Sequence, residues 1–202
     1  MIRVGFTGVP GSGKTSTARA LVSKLRCYDE FKRVELVQEY ARRYISKHGP
    51  MYEIWEQYRI LSKQKEWEDS VANDKLDILV TDSPVFLGFI YAVEFSKKTE
   101  KDVMVYNDIF KLLTKLNFPE HRYDMIFHLP PVVEPVDDGV RVPQHLDPKW
   151  REAANRMIVT TMNIFPPKNY FEITSTSLDQ RVDDCIDILT TYWGTNGQRK
   201  DK

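Results

Sequence analysis

Short apolar segments alternate along this chain with longer segments in which apolar residues recur every three or four positions. The apolar segments predict strands over 2–7, 34–38, 77–81, 123–129 and 170–173. The longer segments predict helices over 16–25, 40–45, 52–72, 85–95, 103–116, 148–165 and 178–193. Because buried parallel strands are nearly continuous apolar runs, this alternation predicts an α/β fold with a three-layer, five-stranded parallel sheet.

Two of the predicted helices differ in how their apolar residues are distributed. The helix over 52–72 places Ile54, Tyr58, Leu61, Lys65 and Glu68 on one stripe, so its apolar face is expected to fade into charge. The helix over 85–95 is apolar nearly all round, and we expect it to be buried.

Length and composition favour one globular domain. The chain has 202 residues, 42% of them hydrophobic, and a formal net charge of zero. We expect a single domain over 1–193 and a flexible polar tail over 194–202. The neutral total argues against coating of nucleic acid by bulk charge. Two cysteines without metal spacing, a first segment that is a core strand and no apolar run of membrane length predict a soluble cytoplasmic protein.

The first strand leads into a glycine-rich sequence that matches the phosphate-loop (Walker A) pattern G-x-x-x-x-G-K-[ST]. Glycines allow the backbone to approach phosphate oxygens, and the following helix directs its positive end at them. Lys14 is expected to reach the β- and γ-phosphates, and the Thr15 hydroxyl to ligate Mg²⁺. The expected nucleotide-binding residues are Gly8, Pro10, Gly11, Ser12, Gly13, Lys14, Thr15 and Ser16. The alternative is a glycine-rich turn that binds nothing.

Charged residues follow two other predicted strands. In a parallel sheet, ligands bind beyond the carboxyl ends of the strands. Asp82 ends the third strand and is a candidate ligand for Mg²⁺, or alternatively the N-cap of a helix that begins at Pro84. Glu39 follows the second strand and is a candidate base for an attacking hydroxyl, or alternatively a solvated charge. Arg42, one helical turn later, is a candidate substrate ligand, and Tyr40 a candidate ring-stacking partner.

The irregular segment after the fourth strand, about 130–147, is a candidate lid. It contains Asp137-Asp138-Gly139-Val140-Arg141, in which a glycine turn presents an arginine. Arg141 is a candidate catalytic residue because a guanidinium can stabilise charge on a transferred phosphoryl group. The alternative is an ordinary surface arginine on a polar loop.

Taken together, these residues resemble the small phosphate-loop kinase-like ATPases, an AAA_28-like family that includes the nicotinamide-riboside kinase domain of the NadR regulators. The resemblance is carried by 8–15, by Glu39-Tyr40-Ala41-Arg42 and by a glutamine-bearing helix with Gln57 and Gln64. Thr81-Asp82 and Gly139-Val140-Arg141 complete it. It implies a nucleoside- or nucleotide-kinase fold with a lid, ATP and Mg²⁺ as cofactors, Glu39 and Arg42 on the acceptor side, and Arg141 on the lid. Asp82-Ser83-Pro84 looks more like the corresponding step of nucleotide kinases.

Three functions remain open from the sequence. The first is an ATP- and Mg²⁺-dependent kinase of a nucleoside, nucleotide or riboside-like small molecule. The second keeps the chemistry and takes hydroxymethylated pyrimidines in DNA as the acceptor, with Arg42 and Arg43 as part of a basic groove. The third is a nucleotide-dependent switch or ATPase without an acceptor. A glutamate–arginine pair and an arginine-bearing lid favour a kinase.

Overall fold

Five parallel strands form one sheet through the middle of the molecule, in the order β2-β3-β1-β4-β5. The structure is a computed structural model, and it describes residues 1–51, 53–95, 99–115, 122–135 and 143–196. The strands are β1 Ile2–Thr7, β2 Val34–Val37, β3 Ile78–Thr81, β4 Met125–His128 and β5 Tyr170–Glu172. The helices are α1 Lys14–Leu25, α2 Tyr40–His48, α3 Ile54–Val71, α4 Leu87–Phe95, α5 Glu100–Lys115, α6 Pro148–Ile164 and α7 Leu178–Asn196.

Helices cover both faces of the sheet. On one face, α1 and α7 pack against apolar side chains such as Val4, Phe6 and Phe127. On the other face, α3, α4, α5 and α6 enclose a second apolar cluster that includes Ile126. The three-layer α/β prediction is therefore confirmed. In this order β3, which ends before Asp82, lies next to β1.

Helices α6 and α7 begin at their predicted positions, 148 and 178. The Asp147 side chain accepts a hydrogen bond of 2.9 Å from the backbone N–H of Trp150, with Pro148 in the first turn. The last helix begins after Ser177, whose hydroxyl accepts from the backbone N–H of Gln180 at 3.2 Å. This helix continues to Asn196, three residues beyond its predicted end, whereas the flexible tail stays a prediction. Residues 197–202 lie outside the described part of the chain.

The inner face of α3 corrects the sequence-based expectation. Its apolar stripe does not fade into exposed charge, because Gln57, Gln64 and Glu68 are all buried. Glu68 is 1% exposed and accepts hydrogen bonds of 2.9 and 3.0 Å from Arg122 and Tyr123. Tyr58, placed on the buried stripe by the pattern, is 40% exposed. These polar side chains can be buried because they form hydrogen bonds with partners within the fold.

Among the described residues, no helix has the length and apolar character that crossing a membrane requires.

Candidate active site

Three of the predicted site segments meet at the carboxyl edge of the sheet. The loop 8–15 follows β1, and Asp82 follows β3 directly. Glu39 follows β2 after one intervening residue. Because β3 pairs with both β1 and β2, Asp82 lies between the glycine-rich loop and Glu39. The topology therefore brings together residues that are up to 74 positions apart in the sequence.

The loop 8–15 forms a tight ring around its own lysine. Lys14, which is 8% exposed, donates hydrogen bonds of 2.8 and 2.9 Å to the backbone carbonyls of Gly8 and Val9. Gly8 has φ +146°, and a Cβ there would lie 2.3 Å from the carbonyl oxygen of Leu129. Only glycine fits this position, so the loop keeps a shape in which backbone N–H groups can converge on an anion.

Asp82 lies at the first turn of α1, against Thr15. The first turn of α1 brings the Thr15 hydroxyl close to the Asp82 carboxylate, and Asp82 Oδ1 has no hydrogen-bond partner among the described residues. Burial, and then the nearby Glu39 carboxylate, raise the pKa of Asp82 to about 6, against the opposing effects of Thr15, Lys14 and Arg19. A carboxylate held in this environment would be stabilised by a cation.

The donor set of Thr15 and Asp82 fits a magnesium ion. A hydroxyl oxygen and a buried carboxylate with an unused oxygen are the hard ligands that Mg²⁺ prefers beside phosphate. The alternative role for Asp82, as the N-cap of a helix starting at Pro84, is wrong because α4 begins at Leu87.

Glu39 and Arg42 open onto the same pocket as Lys14. The polar part of the pocket wall includes these three side chains together with Gln57, Ser83 and His145. The remaining wall is mostly apolar and is formed by Pro10, Ala41, Ile45, Pro50, Met51, Ile60, Leu87, Gly88 and Tyr91. The geometry thus joins a phosphate-type loop to a mostly apolar cavity that can hold a ring-bearing molecule.

Tyr40 is not among the residues that line this pocket. Its ring packs edge-on against Trp67, with centroids 5.1 Å apart at an angle of 88°, and lies 6.4 Å from the ring of Tyr44. The ring of Tyr40 thus packs between α2 and α3, and the stacking of a substrate ring on it stays a prediction.

Gln64 is a site residue that the pattern analysis did not single out for a role. Its side-chain oxygen accepts from the backbone N–H of Tyr40 at 2.8 Å, and its amide nitrogen donates to the Thr81 hydroxyl at 3.2 Å. It thereby joins the start of α2, directly after Glu39, to the end of β3, directly before Asp82. The available signal was spacing, because Gln57, Gln64 and Glu68 follow the same helical stripe as Leu61.

Arg181 on α7 is the second missed residue. It donates a hydrogen bond of 2.9 Å to the backbone carbonyl of Ser12 in the glycine-rich loop. No local pattern separates an arginine in the first turns of an amphipathic helix from a solvated one.

The predicted lid is described only at its two ends. Arg141 and the rest of 136–142 lie outside the described residues, so its role stays a prediction. Arg151 of α6 donates to the backbone carbonyl of Val133 at 3.0 Å, which holds the first part of the segment against α6. After 142, a short 3₁₀-helix, Pro143–Leu146, brings His145 to the pocket wall, where its ring lies 4.2 Å from that of Trp150.

Comparison with known proteins identifies the family of this chain. The model of the AAA domain family AAA_28 matches residues 3–181, and the chain therefore belongs to this family. No curated protein sequence gives a significant match.

Solved structures of similar fold include several kinases. The NadR protein in complex with NR superposes with a TM-score of 0.75 at 19% identity, over 96% of this chain and 52% of that one. This chain thus spans about half the length of that NadR chain. Deoxyadenosine kinase from M. mycoides superposes with a TM-score of 0.63 at 13% identity, over 94% of this chain and 100% of that one. Thymidylate kinase from Candida albicans superposes with a TM-score of 0.62 at 14% identity, over 95% of this chain and 92% of that one. The fold is that of phosphate-loop NTPases of the nucleoside- and nucleotide-kinase type.

Proposed function

We propose that this protein is a kinase that transfers the γ-phosphoryl group of ATP to a hydroxyl or phosphate of a nucleoside, nucleotide or riboside-like small molecule. The observation that carries the proposal is that Lys14 and Glu39 line one pocket. Phosphoryl transfer requires the bound phosphate and the acceptor hydroxyl to meet, so the phosphate loop and the carboxylate that accepts the proton must face the same pocket. The free thiols of Cys27 and Cys185 suit the cytoplasm as its location.

Each part of the site has a role in this reaction. The backbone N–H groups of 8–15 and the Lys14 ammonium bind the β- and γ-phosphates. Glu39 accepts the proton of the attacking hydroxyl, and Arg42 orients the acceptor beside it. Thr15 and Asp82 would hold Mg²⁺, which would neutralise phosphate charge when bound. Arg141, on the lid, stabilises charge on the transferred group.

The pocket wall supports a small acceptor. Apolar side chains surround a few polar groups, an arrangement that suits a flat ring carrying a sugar. Among the described residues, no feature of the pocket singles out modified DNA. We therefore treat DNA, and hydrolysis without an acceptor, as outcomes of the test.

The experiment is a transfer screen with γ-labelled ATP and Mg²⁺. Separate reactions contain nucleosides, nucleoside monophosphates, nicotinamide riboside, DNA with hydroxymethylated pyrimidines, or no acceptor. A labelled small-molecule product supports the proposal. Label on DNA alone, or phosphate release that no acceptor changes, overturns it.

Two variants make the screen specific for this site. Lys14→Ala should abolish labelling while the circular dichroism spectrum stays unchanged. Lys63→Ala, which removes an exposed lysine paired with Glu66 on α3, should label as the wild type does. Near-normal transfer by Lys14→Ala would contradict the role of the loop.

A further inference from the structure

A buried arginine lies directly behind the glycine-rich loop. Arg181 is 3% exposed and belongs to the first turns of α7. Its Nε donates to the backbone carbonyl of Ser175 at 2.6 Å, and one terminal nitrogen donates to the carbonyl of Ser12 at 2.9 Å. One guanidinium therefore joins the loop after β1 to the turn after β5, both at the carboxyl edge of the sheet.

The backbone conformation at residue 13 favours glycine, and Arg181 lies close to this position. Gly13 has φ +92°, and a Cβ at this position would lie 2.5 Å from a terminal nitrogen of Arg181. The guanidinium thus fills the space that any larger residue would need. The loop and the arginine fit each other as a pair, although 168 positions separate them in the sequence.

The hydrogen bond acts on a peptide group that belongs to the loop. The carbonyl of Ser12 and the N–H of Gly13 are the two ends of one planar peptide unit. A donor fixed on the carbonyl therefore fixes the direction of the N–H, and a charged donor polarises the peptide so that its N–H donates more strongly. In a phosphate loop, such N–H groups are the ones that bind phosphate.

The charge of Arg181 has no counter-ion within the described residues. Among the residues that the structure describes, no carboxylate lies at ion-pair distance from it, and its second terminal nitrogen is buried without an acceptor. Burial accordingly lowers the pKa of Arg181 below its ordinary value. An uncompensated buried cation is costly, and an anion bound in the adjacent loop would reduce that cost.

We propose that Arg181 is a positioning residue of the nucleotide site. It holds the Ser12–Gly13 peptide toward the phosphates, and the phosphates supply the negative charge that its surroundings lack. Docking of α7 and binding of the nucleotide are thereby coupled. The inference rests on the proposed nucleotide binding at 8–15, and it does not depend on which acceptor is phosphorylated.

The test compares two Arg181 variants with a matched control. Arg181→Met removes the charge and both hydrogen bonds, whereas Arg181→Lys keeps the charge without the fork that spans two carbonyls. Lys24→Met is the control, because it removes a cation from the same contact of α1 with α7, where Lys24 pairs with Asp183 at 2.6 Å on the surface. Calorimetry gives the dissociation constant of ATP, and steady-state kinetics gives KM and kcat.

We expect Arg181→Met to weaken ATP binding by roughly tenfold to a hundredfold, the range for losing a hydrogen bond to a charged group. The KM for ATP should rise while that for the acceptor stays constant. Arg181→Lys should recover part of the affinity, and Lys24→Met should bind as the wild type does. ATP should also raise the melting temperature of Arg181→Met less than that of the wild type.

Wild-type affinity in Arg181→Met, with only a lower melting temperature, would reduce the arginine to a structural role and overturn the inference. If Arg181→Met does not fold, Arg181→Lys decides, and an affinity within twofold of the wild type overturns the inference. ATP binding without any phosphorylated product would count against the proposed kinase function alone. Absence of ATP binding by the wild type would overturn both.

Discussion

At the scale of single residues, Asp82 shows that this site is built at a cost to stability. The carboxylate is 1% exposed, close to Glu39, and one of its oxygens has no hydrogen-bond partner among the described residues. Its pKa rises from 3.8 to about 6 on folding. Folding therefore favours the protonated form, and the stability that this form contributes is lost as the pH rises from about 4 through 6.

Asp82→Asn should stabilise the protein without ligand and inactivate it. Each pKa unit corresponds to about 1.4 kcal/mol, so we expect the free energy of unfolding to rise by about 3 kcal/mol at roughly pH 8. The gain should vanish below about pH 4, where the aspartate is protonated in both states. Urea denaturation across this pH range measures the effect, and Mg²⁺-dependent transfer should be lost.

A matched control for this prediction is Asp183→Asn, which neutralises an exposed carboxylate on α7. It should change stability by less than about 1 kcal/mol, as is usual for exposed pairs. A loss of stability at roughly pH 8 in Asp82→Asn would contradict the argument.

Glu39→Gln should lower the rate of transfer more than it lowers the affinity for ATP. The change keeps the shape of the side chain and removes the group that accepts the acceptor's proton, a contribution of roughly 10² to 10⁴ in rate. Steady-state kinetics and direct ATP titration separate the two effects.

The control for Glu39→Gln is Glu35→Gln, an exposed carboxylate on β2 that pairs with Arg26. This variant should retain the wild-type rate. If Glu39→Gln instead loses ATP affinity and keeps its rate, the role of base is wrong.

At the scale of elements, α3 connects the pocket to the start of α2 and to the segment before β4. Its buried face presents Gln57 to the pocket and Gln64 to the start of α2, while Glu68 reaches Arg122 and Tyr123. The polar groups of this face pack inside the fold and also hold neighbouring segments in place, because they form hydrogen bonds with partners outside α3. The position of Glu39 consequently depends on α3.

Gln64→Leu should damage the acceptor site more than the ATP site. The change leaves the Tyr40 N–H and the Thr81 hydroxyl without their partner, which costs roughly 1–3 kcal/mol of stability for each unsatisfied buried group. Because the backbone next to Glu39 is then released, the KM of the acceptor should rise several-fold more than the KM of ATP. Kinetics at a temperature well below the melting point tests this.

Lys63→Leu adds a leucine to the exposed face of the same helix and serves as the control. It should leave both KM values unchanged. Equal increases of the two KM values in Gln64→Leu would indicate general loosening and would contradict a specific effect on Glu39.

At the scale of the whole molecule, a buried polar network connects α3 with the sheet. Its hydrogen bonds add a directional link to the apolar packing between these layers. Arg122 donates to Glu68 at 2.9 and 3.1 Å, and the Tyr123 hydroxyl donates to Glu68 at 3.0 Å. The same hydroxyl accepts from the backbone N–H of Val85 at 2.8 Å, just beyond Asp82-Ser83-Pro84. The network therefore fixes the turn after β3 relative to α3 and β4.

Arg122→Met should destabilise the fold by about 3–5 kcal/mol, because it leaves the Glu68 carboxylate buried without its counter-ion. Replacing both partners, Glu68→Met with Arg122→Met, should cost less than Arg122→Met alone, since no buried charge then remains. Urea denaturation of the two variants measures this difference.

The exposed pair of Arg156 with Glu152 on α6 provides the comparison. Arg156→Met should cost less than about 1 kcal/mol. A double variant less stable than Arg122→Met would show that the pair contributes more than its packing volume.

Much of the fold followed from local patterns. Apolar runs and helical spacing predicted all five strands of the sheet and the starts of α6 and α7, where Asp147 and Ser177 accept hydrogen bonds from the first turns. The rule that parallel sheets bind ligands at their carboxyl edge predicted that the loop 8–15, Glu39 and Asp82 would meet. These signals work because strand, helix and turn preferences are properties of neighbouring residues.

The sequence by itself determined the phosphate loop, the parallel sheet and the meeting of Lys14, Asp82 and Glu39 at one edge. Only the tertiary structure decided that Gln64 holds the start of α2, that Tyr40 packs on Trp67, and that Arg181 fills the space beside Gly13. The physical reason is distance along the chain. A buried polar side chain is stabilised by whichever partner the fold brings to it. The spacing of residues around Arg181 therefore cannot predict its hydrogen bond to the carbonyl of Ser12, 169 positions away.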